Sequence, residues 1–272
     1  ADVSVQRPAA GEDWQQRRPN TIVWLSGGGG DLVNLYYSIN SGADWTLIED
    51  NVANVSGSNS YDWVVEPYPV NTAQIKVESV LDPTNLWSAS RNFNIAGVKI
   101  TSPDGDPDFD PGAPVADYDG EIWDLDVDNP IRWDFQSAGS DGTVMFAYDG
   151  ENFFTFPGSQ RGLLDQLTFY TPTNPTVRAK VKIVADDPSP FTDMQDESDA
   201  YFIVGGVRVT KPQEDVLFTI GTRQRISWTS AGALQSGGDG FARIYYTTTG
   251  SDSNLIATVG NNESYPGGNQ YQ

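Results

Sequence analysis

Apolar and polar residues alternate with a period of two through short segments of this chain, at 3–5, 21–24, 32–38, 45–48, 61–65, 73–80 and 93–95. That period places successive side chains on opposite faces of an extended backbone. Val, Ile, Thr, Tyr and Trp dominate these segments, as the pleated and half-buried surface of a sheet favours. Turn signals separate them: Pro8, Gly27 to Gly30, Asn40-Ser41-Gly42, then Pro67 and Pro69. No window of the first hundred residues sustains a 3.6-residue period. About seven short strands in just under a hundred residues predict an all-β sandwich.

The pattern then recurs. Gly11-Glu12-Asp13-Trp14 with Ile22-Val23-Trp24 returns as Gly120-Glu121-Ile122-Trp123 with Ile131-Arg132-Trp133, and more loosely as Phe218 with Ile226-Ser227-Trp228. In each copy the second aromatic lies ten positions after the first. Pro8, Pro103 and Pro212 occupy matching places, and 179–184 answers 75–80. A tandem array follows, with units over 1–97, 98–206 and 207–272 joined by short linkers at Ala96-Gly97 and Gly205-Gly206. The second repeat is longer because 104–117, between Pro103 and Gly120, is inserted. The third stops short of about two strands, including the counterpart of 75–80. An open sandwich with an unpaired edge is an aggregation hazard. The expectation is a piece of a longer protein, or a chain completed by strands from another; the first is favoured.

Equal spacing across copies is what packing demands, so Trp14, Trp24, Trp123, Trp133, Phe218 and Trp228 are expected in the cores. Trp45, Trp63 and Trp87 have no aromatic counterpart in every copy and are the candidates for ligand contact, with core or rim packing as the competing reading. The order of a starting strand, Pro, Gly-Glu-x-Trp, Ile-x-Trp, an aromatic strand, Ile75-Lys76-Val77-Glu78-Ser79-Val80 with Asp82, and Phe93-Asn94-Ile95 resembles the immunoglobulin-like or fibronectin III-like tandem repeats of large secreted or cell-surface proteins of bacteria and archaea. It is also similar to the Ig-like domain of fungal cell-wall glucan-assembly proteins. The second copy departs by its insertion and by Lys182 in place of Glu78; the third lacks Gly-Glu. The resemblance implies a rod of Ig-like sandwiches and leaves the function open, since such repeats serve as spacers, stalks, filament subunits and accessory modules.

Charge and composition narrow the function. A balance of 37 acidic to 16 basic residues, net −21, opposes binding to nucleic acid or anionic lipid. No apolar run is long enough to span a bilayer. The chain has no Cys and no His, which removes thiolate chemistry, His-based triads and the usual zinc ligands. Carboxylate pairs are numerous enough to arise by chance, so glycosidase chemistry is not expected. The opening Ala1-Asp2-Val3, without Met, fits the end left by signal-peptide removal, as it would an excised fragment. Secretion to the cell surface is the expected location.

Asp104, Asp106, Asp108 and Asp110, with Asp117 and Asp119 behind them, form a Gly/Pro-rich acidic loop suited in ligand type to Ca²⁺. An EF-hand register from Asp106 fails at Pro111, where Gly is needed. The competing reading is a solvated acidic loop. Asp124, Asp126 and Asp128 alternate on an expected strand and would tolerate one another beside a cation or a basic partner. Asn54-Val55-Ser56 and Asn262-Glu263-Ser264 match the N-glycosylation pattern. Gly27 to Gly30, with no lysine and no helix after it, is a turn and not a phosphate loop. The expected function is a non-enzymatic extracellular structural protein, a surface-layer, sheath, filament or stalk subunit that associates with itself or pairs strand edges with neighbouring chains, stabilised by calcium. The alternative is a carbohydrate-binding or adhesin module.

Overall fold

The computed structural model describes residues 2–28, 30–111, 118–186, 190–232, 240–261 and 268–272. The first nine strands are β1 (Val3–Arg7), β2 (Asp13–Gln15), β3 (Pro19–Ser26), β4 (Leu32–Ser38), β5 (Thr46–Ala53), β6 (Gly57–Val64), β7 (Val70–Ser79), β8 (Trp87–Ala89) and β9 (Phe93–Ser102). One sheet runs β1-β3-β6; the facing sheet runs β9-β7-β4-β5, with β2 parallel to β9 and β8 on β7. This strand order is that of an Ig-like sandwich. The alternation in the sequence sets its inner faces: Ile22 and Trp24 on β3, Val33 and Leu35 on β4, and Ala73, Ile75 and Val77 on β7 are all buried in one core. Trp14 packs on Phe93 at 5.0 Å between ring centres and on Trp63 at 6.3 Å.

The order repeats in β10 (Ile122–Asp124), β11 (Asn129–Gln136), β12 (Asp141–Ala147), β13 (Phe154–Gly162), β14 (Leu167–Tyr170), β15 (Thr176–Ala185), β16 (Gln195–Glu197) and β17 (Phe202–Lys211). Here β11 lies between β9 and β14, β12 between β13 and β15, and β10 runs parallel to β17. Trp123 packs on Phe202 at 4.7 Å, as Trp14 does on Phe93. One 3-10 turn, Leu163–Asp165, follows β13, and its Leu163 carbonyl accepts from the Trp133 indole at 2.9 Å. Beyond β17 come β18 (Ile226–Ala231), β19 (Phe241–Tyr246), β20 (Asn254–Gly260) and β21 (Asn269–Tyr271). β17, β18 and β21 form one layer and the hairpin β19-β20 the other.

No linker separates these layers. β9 closes the first core with Phe93 and Ile95 and then, without a break, pairs with β11 and gives Val98 and Ile100 to the second core. β17 does the same between the second core and β18. The expected linkers at Ala96-Gly97 and Gly205-Gly206 are therefore the middles of ten-residue strands. Each of these joints is followed by a cis proline peptide, Ser102-Pro103 or Lys211-Pro212, and Arg7-Pro8 is the matching one in β1's copy. The chain exposes 14463 Å². A compact monomer of this mass would expose about 11,600 Å²; several uncovered apolar side chains of 207–272, such as Leu217 and Ile220, add to the excess.

Candidate interaction surfaces

Trp24, Trp133 and Trp228 are buried, and each indole N–H donates to a group some thirty residues on: Asn54 Oδ1, the Leu163 carbonyl and Asn261 Oδ1, all at 2.9 Å. A buried Trp needs such an acceptor. Asn54 is thereby committed to the core, its amide donating to Ser26 Oγ and the Gly30 carbonyl, so a glycan on its nitrogen would break both bonds. The other glycosylation pattern, at 262–264, lies outside the described residues. Phe218, expected in a core, is 49% exposed. The reason is the missing neighbour: among the described residues no strand takes the place that Phe93 and Phe202 occupy over Trp14 and Trp123.

The aromatic ligand candidates divide. Trp63 is in the core, against Trp14 and Tyr37, and cannot meet a ligand. Trp45 is half-buried on the outer face of the β5-β4-β7 sheet. There Lys76 Nζ lies 4.3 Å from the Tyr36 ring centre and 5.3 Å from that of Trp45, and is tied at 2.8 Å to Glu78. The ammonium occupies aromatic faces that a sugar ring would need. Trp87, opposite Glu78 on β8, is 52% exposed and is the open ring of this face.

The described part of the acidic insertion, 104–111, is held by hydrogen bonds. Glu121 accepts at its base from the Asp104 and Gly105 amides, at 3.1 and 2.9 Å. Asp104 accepts from the Asp199 amide at 3.0 Å, and buried Asp106 from the amides of Asp108 at 2.9 Å and Asp119 at 3.4 Å. Asp108, Asp110 and Asp119 are exposed, and Asp117 lies outside the described residues. Among the described residues no three carboxylates gather at one point. Phe109 of the insertion meets Tyr118, just after it, edge to face at 4.8 Å, and both join Val177, Ile203 and Ala231 of β18 in a small cluster. Burial, with the charge of Glu121 beside it, pushes the Tyr118 phenol well up, and its hydroxyl donates to the Glu121 carbonyl at 2.7 Å. Phe109 and Tyr118 thus buttress the joint between the second core and β18.

Asp124, Asp126 and Asp128 do not share a strand face. β10 ends at Asp124 and the chain turns, with Asp126 at φ 57°. The turn is a repeated one. Arg17 and Gly221, also three residues after the aromatic, stand at φ 57° and 81°. Asp126 faces Arg208 of β17 at 3.8 Å, the basic neighbour its charge calls for.

The joints hold the features that spacing hid. The residue two after each tryptophan sits on the central glycine of the through-going strand. A Cβ at Gly97 would lie 1.9 Å from Gln16 Oε1, and one at Gly206 2.9 Å from Leu125 Cβ. At the first joint Gln16 donates to the Val98 carbonyl at 2.8 Å. Gln15 donates to the Thr192 carbonyl, and Arg17 reaches the Gln195 carbonyl at 3.0 Å and Asp196 at 2.5 Å. Asp196 also accepts from the Ile100 amide at 2.7 Å. Its burial outweighs these partners and pushes the carboxyl above the usual range. Charge reverses between joints, Arg17 facing Asp196 at one and Asp126 facing Arg208 at the other, so no single sequence motif marks the contact.

No protein-family model matches the chain, and no curated protein does. Among solved structures it is similar to the fibronectin III-like modules of CbhA from Clostridium thermocellum, at 13% identity over 74% of this chain and 93% of that one, TM-score 0.26. It is likewise similar to the FN1–FN3 domains of chicken CNTN1, at 11% identity over 94% and 84%, TM-score 0.27. A third similar structure is the complex of Dpr2 Ig1-Ig2 with DIP-Theta Ig1-Ig3, at 6% identity over 91% and 86%, TM-score 0.25. Likenesses this distant add nothing to the strand order. The strand order itself makes this an Ig/fibronectin III-like array.

Proposed function

We propose that this chain is a non-enzymatic structural rod of Ig-like units, near 1–97, 98–206 and 207–272, that works outside the cell as a filament, sheath or stalk component and associates with other protein chains. The observation that carries the reading is the pair of through-going strands. A ten-residue strand spans about 33 Å, and when its two halves belong to different cores the cores cannot swivel without breaking sheet hydrogen bonds. Modules on flexible linkers tumble independently; these are clamped by Gln16 on Gly97, Arg17 on Asp196 and the Phe109–Tyr118 wedge. Stiffness of that kind suits a load-bearing or spacing role.

Small-angle scattering of residues 1–272 tests it: a single extended particle is expected, and a distribution of bent shapes refutes the rod. Calcium stabilisation is a separate part of the proposal. Millimolar Ca²⁺ is expected to raise the melting temperature relative to EDTA, and an unchanged value removes calcium from it. The second reading, carbohydrate binding, has Trp87 in its favour, a ring that is 52% exposed. Glycan-array binding that is lost in Trp87→Ala would favour that reading.

A further inference from the structure

Gln16, Arg17 and Arg18 of the first unit face β16 of the second across a cleft of about 460 Å³. Clefts that take small molecules run from about 300 to 1,000 Å³. The charges lining this one are held in place. Arg17 lies 2.5 Å from Asp196, Arg18 2.9 Å from Asp193, Glu197 3.2 Å from Lys182 and Asp199 3.1 Å from Lys99. Lys180 makes no ion pair among the described residues, and its ammonium stands 5.4 Å from the Tyr201 ring centre. Asp193, Glu197 and Asp199 each give one oxygen to their cation, and among the described residues the second oxygen takes no donor. Gln16, only 4% exposed, likewise leaves its Oε1 without a donor there, and a buried acceptor of that kind calls for a partner.

The first unit shows what the fold alone requires. Ser88 Oγ on β8 accepts from the Val5 amide at 3.3 Å, and Ser90 Oγ accepts from that of Ile75 at 3.0 Å. On β16 Asp196 accepts from the Ile100 amide at 2.7 Å and Ser198 Oγ from that of Val181 at 3.1 Å. A hydroxyl thus serves in the place of Asp196. Ala89 stands opposite Lys76 as Glu197 stands opposite Lys182. The carboxylates of β16 are additions at the joint, beyond what closing the sandwich needs.

We propose that this cleft binds a neutral, hydroxyl-rich ligand, a sugar unit of an uncharged glycan. This deepens the carbohydrate reading above, rests on it, and moves the site from Trp87 to the first joint. The choice follows from donors and acceptors. Ammonium and guanidinium groups only donate, carboxylates only accept, and a hydroxyl does both. Lys180 offers a donor, and the second oxygens of Asp193, Glu197 and Asp199 offer acceptors, to hydroxyls on neighbouring carbons of one ring. A bound anion would meet those carboxylates at close range and the net charge of −21 beyond them. A bound cation would meet Arg17, Arg18 and Lys180. Hydrogen bonds to charged partners are the stronger kind, and the ion pairs fix these groups before a ligand arrives.

The test puts the intact chain of 272 residues on a printed array of neutral oligosaccharides beside their uronate- and sulfate-bearing counterparts. Retention on neutral glycans is expected. Lys180→Ala and Glu197→Ala are each expected to weaken it at least about tenfold, the loss of one hydrogen bond to a charged group. Trp87→Ala is expected to leave it unchanged. Glu197→Ala installs the residue that β8 carries at this position, and in the parent chain the best-retained glycan is expected to shift the amide NMR signals of Gln16 and Lys180, a readout that needs no variant. Retention on the acidic glycans alone, equal retention of the parent and both cleft variants, or no shift at Gln16 and Lys180 overturns the proposal. Loss in Trp87→Ala with retention in both cleft variants also overturns it and leaves the carbohydrate reading standing, whereas no retention on any glycan ends both.

Discussion

Replacing Gly97 by Ala puts the joint to its strictest trial. The new Cβ would lie 1.9 Å from Gln16 Oε1, 2.2 Å from its Cδ and 2.7 Å from its Cγ. A side chain at a surface would swing aside. Gln16 is 4% exposed and its amide is bonded to the Val98 carbonyl, so retreat leaves that acceptor, or the displaced amide, unpaired. Overpacking a filled site costs about 1–3 kcal/mol. For a unit of this size that corresponds to a fall of about 4–20 °C in the melting temperature. Differential scanning calorimetry reads the shift. Gly260→Ala is the control, since nothing lies within 4 Å of the Cβ there and no change is expected. Gln16→Ala should relieve the clash, so the double variant is expected to be more stable than the sum of the single changes, by about 1 kcal/mol or more. An unchanged melting temperature in Gly97→Ala, or strict additivity with Gln16→Ala, would refute the seating of Gln16 on this glycine as a clamp.

Other outcomes follow from the same contacts. Tyr118→Ala removes a buried ring from the Phe109, Val177, Ile203 and Ala231 cluster, and a loss of about 3 kcal/mol is expected in urea unfolding; a loss below about 0.5 kcal/mol would mean that the insertion does not brace the joint. Asp196 binds its proton more tightly in the folded chain than in the unfolded one, so unfolding free energy should fall as pH rises from the ordinary carboxylate value near 3.8 through the raised folded value. Asp196→Asn lacks that slope, and it keeps one acceptor oxygen where Asp196 uses Oδ1 for Arg17 and Oδ2 for the Ile100 amide, so a pH-independent loss is expected together with a stability that improves relative to the parent between pH 4 and pH 7. The opposite trend would show that Arg17 dominates the pair.

Much of this molecule was legible because its signals are local. Period-two alternation at 73–80 or 179–184 needs only the geometry of a strand, and the ten-residue interval from Trp14 to Trp24 marks each copy because a core imposes the same spacing whenever it recurs. Residue type alone misled at Trp63 and Phe218, since burial is settled by what stands opposite. Trp63 meets Trp14, and Phe218 has no counterpart of Phe93 over it. The Asp124, Asp126 and Asp128 alternation imitated a strand that the left-handed turn at Asp126 cuts short.

The sequence by itself determined the fold class, the repeat and the tryptophans that mark each core, because these follow from the order of side chains along an extended backbone. Only the tertiary structure decided that Ala96-Gly97 and Gly205-Gly206 are the middles of strands and not hinges. It also turned Phe109 of the acidic insertion, with Tyr118 just after it, into the wedge at the second joint. Both outcomes depend on partners a hundred or more residues away, such as Asp196 for Arg17 and Ala231 for Tyr118, and no pattern within a window of sequence carries a contact of that length.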